Sequence, residues 1–259
     1  MAKTSDRTRA VLVAVMAVAQ ALSGPVTSLA MGPAADQKPI SDANLSPVTP
    51  AGWAFAIWAL IYAGSLVLAV YQLLPSQLHR RVHRRTGWWL VGAFTASTVW
   101  VPIFGTRVIW LSQVAIVMLV ACLIFVARRF TQIGPAENAA EQFAFRLPVM
   151  IYLGWATPAC IAGFGAMFRS WGMEANSRQT AEVGVALVLS AIITSLFVVG
   201  RLDAIVGFLL AAFWGLIAVA AATYADGVRL AVVLGITIIV AAVVGRTLRS
   251  GERRTVLLG

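Results

Sequence analysis

The sequence predicts an all-α membrane protein, a polytopic membrane helix bundle with about eight transmembrane helices. Of its 259 residues, 60% are hydrophobic and only 12% are charged, which leaves too few polar residues to cover a water-soluble core. The mean hydropathy of +0.85 agrees with this interpretation. The apolar residues fall in runs of about 20, the length that crosses a hydrocarbon core of about 30 Å.

The first apolar run covers about residues 9–30 and is interrupted at Gly24 and Pro25. A basic start, an apolar middle and a small-residue end also describe a cleavable signal peptide. The run is long for a signal, and we expect it to be a retained first helix. A polar segment with four prolines follows over residues 31–50, which we expect to be an external loop long enough to cover part of the bundle.

The second run, residues 51–74, contains no charge and follows Pro50, a residue that suits the first turn of a helix because it lacks an N–H donor. We expect Trp53 at the water boundary, whereas Trp58 and Tyr62, four residues apart, share one deeper helix face. Aromatic residues on one inward stripe favour a pocket for a flat ligand. Interfacial anchoring and core packing are the alternative interpretation.

The remaining runs predict six further helices, at about residues 88–105, 108–126, 143–168, 181–199, 204–222 and 228–244. Pro148 and Pro158 fall in the fifth helix, where proline frees carbonyl groups, so we expect this helix to border a cavity. In the seventh helix Gly207, Ala211 and Gly215 recur every four residues. This small-residue ridge allows another helix to approach closely and would permit a homodimer.

Eight spans place both chain ends on one side of the membrane, and the charges test this arrangement. Five of the 20 basic residues fall on the side opposite the termini, which leaves 15 on the terminal side; the five are Lys38, Arg107, Arg169, Arg178 and Arg229. The ten acidic residues divide evenly. A basic bias without an acidic bias predicts a multi-pass protein of the cell membrane with both termini in the cytoplasm. The clustered charges favour membrane lipids as partners and exclude nucleic acid.

The residues that carry enzyme chemistry are missing from the predicted membrane interior. No Asp, Glu, Lys, Arg or His falls in the middle third of a predicted helix, which argues against an ion-coupled pump. The two histidines, His79 and His83, lie in a basic turn, and Cys122 and Cys160 are isolated in apolar runs. We therefore expect no catalytic residues, no metal site and no cofactor. The high Ala and Val content and the scarcity of lysine are compatible with a bacterial source.

Four sequence blocks resemble one known family. They are residues 49–62 (TPAGWAFAIWALIY), Trp100 with the IFG at 103–105, the apolar fourth helix, and residues 147–155 (LPVMIYLGW). Over residues 8–170 the chain resembles the TspO/MBR family of tryptophan-rich sensory or translocator proteins, related to the peripheral benzodiazepine receptor. The resemblance implies a five-helix TspO-like core over residues 1–175. Residues 176–259 would form a three-helix membrane extension with a short basic cytoplasmic tail.

The resemblance also implies a cavity within the five-helix core, capped by the loop between helices one and two, that binds porphyrins or sterol-like molecules. The predicted ligand-binding residues, matched by motif, are Trp53, Trp58, Tyr62, Ser97, Trp100, Tyr152 and Trp155. The family usually spaces its two helix-two tryptophans six apart, whereas here they are five apart, which leaves open which of the two faces the cavity. Ser97 and Gly163 stand where the family commonly has Asn, so two polar cavity groups are weakened or lost.

The resemblance and the residues together predict an integral membrane sensor, receptor or carrier that binds a porphyrin-like tetrapyrrole or other apolar small molecule. The alternative is a small-molecule membrane transporter whose ligand lies at the interface between core and extension. Enzymatic porphyrin breakdown is a third possibility within the family. The chain offers no acid, base or metal site for it, and we do not expect an enzyme.

Overall fold

A computed structural model describes residues 4–250 and 253–258, and these residues form helices and connecting loops without a β-strand. Its eight long helices are α1 (Thr4–Met31), α2 (Ile57–Leu73), α3 (Arg81–Gly105), α4 (Ile109–Ile133), α5 (Leu147–Ser170), α6 (Arg178–Arg201), α7 (Val206–Ala222) and α8 (Asp226–Ser250). Seven of the eight lie in segments long and apolar enough to span a membrane, and the eighth, α7, has 17 residues. The predicted polytopic helix bundle is confirmed.

Several helix boundaries differ from the sequence prediction. Helix α1 continues through Gly24 and Pro25, so the predicted interruption is absent. In a membrane, proline is tolerated within a helix because the surrounding structure satisfies the freed backbone group. Helix α3 begins at Arg81, so most of the basic turn predicted around His79 and His83 is helical instead. Helix α4 likewise continues past its predicted end to Ile133, because a helix need not stop where its apolar run does.

The segment between α1 and α2 is folded onto the bundle. It contains a 3₁₀ turn (Pro33–Ala35), a short helix (Gln37–Ala43) and a 3₁₀ helix (Gly52–Ala56) that leads into α2. The tighter 3₁₀ geometry thus replaces the α-helical first turns predicted after Pro50. Ile40 is fully buried and packs with Phe104 of α3 and Met167 of α5. The loop therefore covers one end of the helices, as expected from its length.

Helix α5 is the central element, because it packs against α2, α4, α6 and α7. Helix α1 packs against α2 and α3, α3 packs against α4, and α8 packs against α6 and α7. The first five helices and the last three therefore meet along α5.

The predicted small-residue ridge of α7 faces α5. A Cβ atom built on Gly207 would lie 3.0 Å from the Leu147 carbonyl oxygen, and one built on Gly215 would lie 2.3 Å from Pro158 Cγ. On the α5 side, a Cβ at Gly154 would lie 2.3 Å from the Phe208 carbonyl oxygen. The ridge thus brings two helices of one chain together, and it is not free to receive a second copy.

One end of the bundle, which we call the basic end, is where α1, α3, α5 and α7 begin and the even-numbered helices finish. It holds Arg80 and the other arginines that the sequence places on the terminal side; Lys3 and Glu252 lie outside the described residues, as do the side chains of Arg253 and Arg254. Ion pairs connect neighbouring segments at this end. Arg80, just before α3, contacts Glu141, just before α5, at 2.9 Å. Arg84 of α3 contacts Asp6 of α1 at 2.6 Å.

Two carboxylates of the basic end, those of Glu141 and Asp6, are buried. Glu141 is 1% exposed and its partner Arg146 is 0% exposed, and the Arg146 Nη2 atom donates to Glu141 Oε1 at 2.6 Å. A π-helical turn, Gln142–Arg146, carries this arginine into the interior. Asp6 is likewise buried and pairs with Arg9 at 2.8 Å. Charged residues that the sequence pattern presents only as topology signals are therefore also part of the packed interior.

Candidate functional site

A small cavity lies beneath the α1–α2 loop, among α2, α3, α4 and α5. Its lining is mostly apolar and aromatic, with a few polar side chains; the residues are Gln37, Ser41, Pro50, Phe55, Trp58, Trp100, Phe104, Ser112, Gln113, Ile116, Trp155, Ala159, Ala162, Gly163 and Ala166. The volume is about 50 Å³. Five of these residues come from α5, the proline-containing helix that was predicted to border a cavity.

An aromatic cluster of Trp58, Tyr62, Trp100, Tyr152 and Trp155 adjoins the cavity, and Trp58, Trp100 and Trp155 line it directly. The Trp58 ring is at its centre, stacked on Trp100 with ring centroids 5.3 Å apart and on Tyr62 at 5.5 Å. Tyr152 and Trp155 meet the Trp58 ring edge-on, at 6.1 and 6.0 Å. Both arrangements are favoured by the quadrupoles of aromatic rings.

Helical spacing explains why these rings converge. Trp58 and Tyr62 are four residues apart on α2, and Tyr152 and Trp155 are three apart on α5, so each pair shares one helix face. Trp100 comes from α3, near the closing turns of that helix. Three helices therefore direct their aromatic faces to a single point in the bundle.

The cluster offers hydrogen-bond donors that the protein itself does not use. The indole N–H groups of Trp58 and Trp155 are buried and have no acceptor within the described part of the chain. An unsatisfied buried donor is costly in an apolar surrounding. Because both residues line the cavity, a bound molecule with acceptor atoms could satisfy these groups.

Polar side chains also hold the deeper part of the cluster. The Tyr152 hydroxyl donates to Gln20 Oε1 of α1 at 3.1 Å, and the buried Ser97 side chain lies beside the hydroxyls of Tyr62 and Tyr152. Ser97, one of the predicted ligand-binding residues, thus lies next to the aromatic cluster. Gln20 holds the tyrosine from α1, a helix that none of the predicted site residues belongs to.

Gln113 of α4 supplies the amide that position 163 lacks. Its Nε2 atom donates to the Cys160 carbonyl oxygen at 3.0 Å, and its Oε1 atom lies 2.1 Å from where a Cβ on Gly163 would stand. Neither Gln113 nor Gln20 is among the site residues predicted from the sequence. The available signal was that Gln113 is the one amide side chain in the apolar run 108–126, since a polar side chain within a membrane span usually has a partner.

Six of the seven predicted site residues are brought together, and Trp53 is not. Its side chain is 47% exposed and lies edge-on to Trp214 of α7, with ring centroids 4.7 Å apart. Trp214 in turn donates its Nε1–H to the Ala54 carbonyl oxygen at 3.1 Å. Residues five apart do not share a helix face, so only Trp58 of the two helix-two tryptophans lines the cavity.

Comparison with known proteins gives a match at the level of the family. A family model described as TSPO-like protein matches residues 9–246, a range that extends beyond the five-helix core to include most of α8. No curated protein and no solved structure matches the chain.

Proposed function

This chain belongs to the TSPO-like protein family, and we propose that it is a membrane protein whose cavity binds a flat, largely apolar molecule with hydrogen-bond acceptors. A tetrapyrrole is an example of such a molecule. The observation that carries the proposal is the pair of unpartnered indole N–H groups beside the stacked rings of Trp58 and Trp100.

The chemistry of the lining supports this ligand class. Stacked aromatic rings offer a flat ligand a large contact area at low entropy cost, and such pockets use a few polar groups to fix orientation. Here those groups are the two indole donors and the amide of Gln113. A porphyrin carries an extended apolar ring together with carboxylate acceptors, so it matches both properties.

Binding of a molecule of that size requires the cavity to enlarge. Its volume of about 50 Å³ compares with roughly 300–1,000 Å³ for pockets that enclose drug-sized ligands. Gln37 and Ser41 of the short loop helix form part of the lining, and Ile40 is the residue of that helix that is fully buried. We infer that the loop helix moves away to admit the ligand.

A titration of the purified full-length protein in detergent with protoporphyrin IX tests the proposal, with tryptophan quenching and thermal shift followed together. We expect saturable binding in the micromolar range or tighter, about −8 kcal/mol or better, and a raised unfolding temperature. Non-saturating quenching with no thermal shift, for protoporphyrin IX and for haem alike, would contradict it.

A transporter with its ligand between core and extension is the second candidate. An open groove of about 420 Å³ lies at this boundary, lined by residues of α2, α5 and α7 and by Ala56. Leu60 and Trp214 belong to its walls. Loss of protoporphyrin uptake into proteoliposomes by Leu60→Trp, with cavity binding retained, would favour this function, whereas unchanged uptake would exclude the groove from the path.

We also propose that the basic end faces the cytoplasm of the cell membrane, in line with the excess of arginine there. Single cysteines at Ser76 of the basic end and Asn176 of the opposite end, both exposed, test this in a variant without Cys122 and Cys160. A membrane-impermeant maleimide added to intact spheroplasts should label position 176 and spare position 76. The reverse pattern would invert the topology.

A further inference from the structure

We propose that the groove between α6 and α8 at the basic end binds an anionic phospholipid. The groove has a volume of about 520 Å³ and combines apolar walls with arginine side chains. It lies apart from the aromatic cavity, and its role does not depend on which molecule that cavity takes.

The walls of the groove suit an acyl chain. Leu196 and Val199 of α6 face Ala242 of α8 across it, and Gly200 and Gly245 complete the lining. Neither glycine has another atom within 4 Å of the position that a Cβ would take. The groove is therefore open because each helix has a glycine, and so no side chain, at this point.

The polar end of the groove holds two arginines, one of which is paired within the protein while the other is not. Arg246 is fixed within the protein, since it donates to the carbonyl oxygens of Val199 and Leu202 and, at 2.7 Å, to Asp203 Oδ1. It thereby satisfies the last carbonyl groups of α6, and Asp203 offsets its charge. Arg249, about one turn further along α8, has no ion pair or hydrogen bond with another described residue and is exposed.

This combination points to a lipid with a net negative headgroup. A zwitterionic lipid would fill the walls, but its own cation would offset the attraction to Arg249. A soluble phosphate would pair with Arg249 but would leave the space between the apolar walls empty. An anionic phospholipid such as phosphatidylglycerol uses both parts, with its phosphate at Arg249 and Ser250 and its chain between the helices.

Native mass spectrometry and thermal shift of the full-length, delipidated protein test the site. The probes are dioleoylphosphatidylglycerol, dioleoylphosphatidylcholine and glycerol 1-phosphate. We expect phosphatidylglycerol to be retained in preference to phosphatidylcholine and to raise the unfolding temperature, and glycerol 1-phosphate to do neither. Equal retention of the two lipids would overturn the proposal, and an equal shift with glycerol 1-phosphate would replace it with an anion site.

Two variants with matched controls locate the binding. Arg249→Gln removes the unpaired cation, and Gly245→Leu fills the groove where no neighbour obstructs a side chain. Each should weaken phosphatidylglycerol binding by about fivefold or more. The controls are Arg128→Gln, another exposed arginine of the basic end, and Gly227→Leu, at the opposite end of α8 with its nearest neighbour 3.5 Å away.

Circular dichroism and detergent gel filtration check that each variant folds. Unchanged phosphatidylglycerol binding in the double variant Arg249→Gln/Gly245→Leu would overturn the site. A loss in Arg128→Gln as large as that in Arg249→Gln would also overturn it, because the effect would then be one of general surface charge.

Discussion

The side-chain amide of Gln113 fills the space beside Gly163, so that an α4 residue occupies the volume that a side chain on α5 would need. A Cβ at position 163 would stand 2.1 Å from Gln113 Oε1. Because the amide is held by the Cys160 carbonyl oxygen at 3.0 Å, its oxygen has a defined position at the cavity wall. In this protein, the amide at the cavity wall therefore comes from Gln113 of α4 and not from position 163 of α5.

Gln113→Leu should weaken protoporphyrin IX binding by about three- to tenfold, the effect of losing one neutral hydrogen bond. Adding Gly163→Asn to this variant should recover part of the affinity, because the amide then comes from α5 into space vacated by Gln113. Tryptophan quenching measures both. Gln132→Leu, an exposed position at the end of α4, serves as control, and full affinity in Gln113→Leu would remove this residue from the site.

The double variant Trp58→Phe/Trp155→Phe should bind protoporphyrin IX about tenfold more weakly or worse, because it retains two aromatic rings but lacks both indole donors. Isothermal titration is the suitable measurement, since the fluorescent reporters are altered. Trp53→Phe is the matched control and should change the affinity by less than twofold. If the Trp53 variant had the larger effect, the site would have to be moved to the α7 side.

Ile40→Ala should make the loop easier to displace, since a fully buried isoleucine holds the short helix against Phe104 and Met167. Removing such a side chain costs about 2–5 kcal/mol of packing. Stopped-flow quenching should therefore show a severalfold faster association of protoporphyrin IX. Leu45→Ala, exposed in the same loop, should leave the rate unchanged, and an unaltered rate in Ile40→Ala would mean that the ligand enters elsewhere.

Gly154→Ala should lower the unfolding temperature in detergent, because its Cβ would press on the Phe208 backbone carbonyl at 2.3 Å and helices α5 and α7 would have to separate. Overpacking of this kind costs about 1–3 kcal/mol. Gly200→Ala, with no neighbour within 4 Å, should leave the temperature unchanged or raise it. Equal behaviour of the two variants would show that the ridge is not a tight contact.

Glu141→Gln should be strongly destabilising, by about 3–5 kcal/mol, because it leaves the buried guanidinium of Arg146 without its counter-charge. Glu182→Gln breaks an exposed ion pair with Arg178 and should cost about 0–1 kcal/mol. Thermal unfolding of the two variants in one detergent makes the comparison. A small effect at Glu141 would indicate that water reaches this pair.

The helical class and the order of the spans could be predicted because a membrane leaves the backbone little choice. Apolar runs long enough to cross must pair their own N–H and C=O groups, and helices do so within one segment. The aromatic pairs of α2 and α5 were predictable for a similar local reason, since spacings of three and four residues place side chains on one face. Boundaries were less predictable: the helical arginines at the start of α3 lie outside any apolar run.

Residue spacing is enough to establish which residues share a face of the same helix, and therefore that Trp58 accompanies Tyr62 and that Gly207, Ala211 and Gly215 form a ridge. The packing of the folded chain sets which neighbour each face contacts. It turned Trp53 toward Trp214, set α7 against α5, and placed Gln113 beside Gly163. The physical reason is that periodicity describes directions about one helix axis, whereas the rotation and neighbours of that axis depend on how all eight helices pack together.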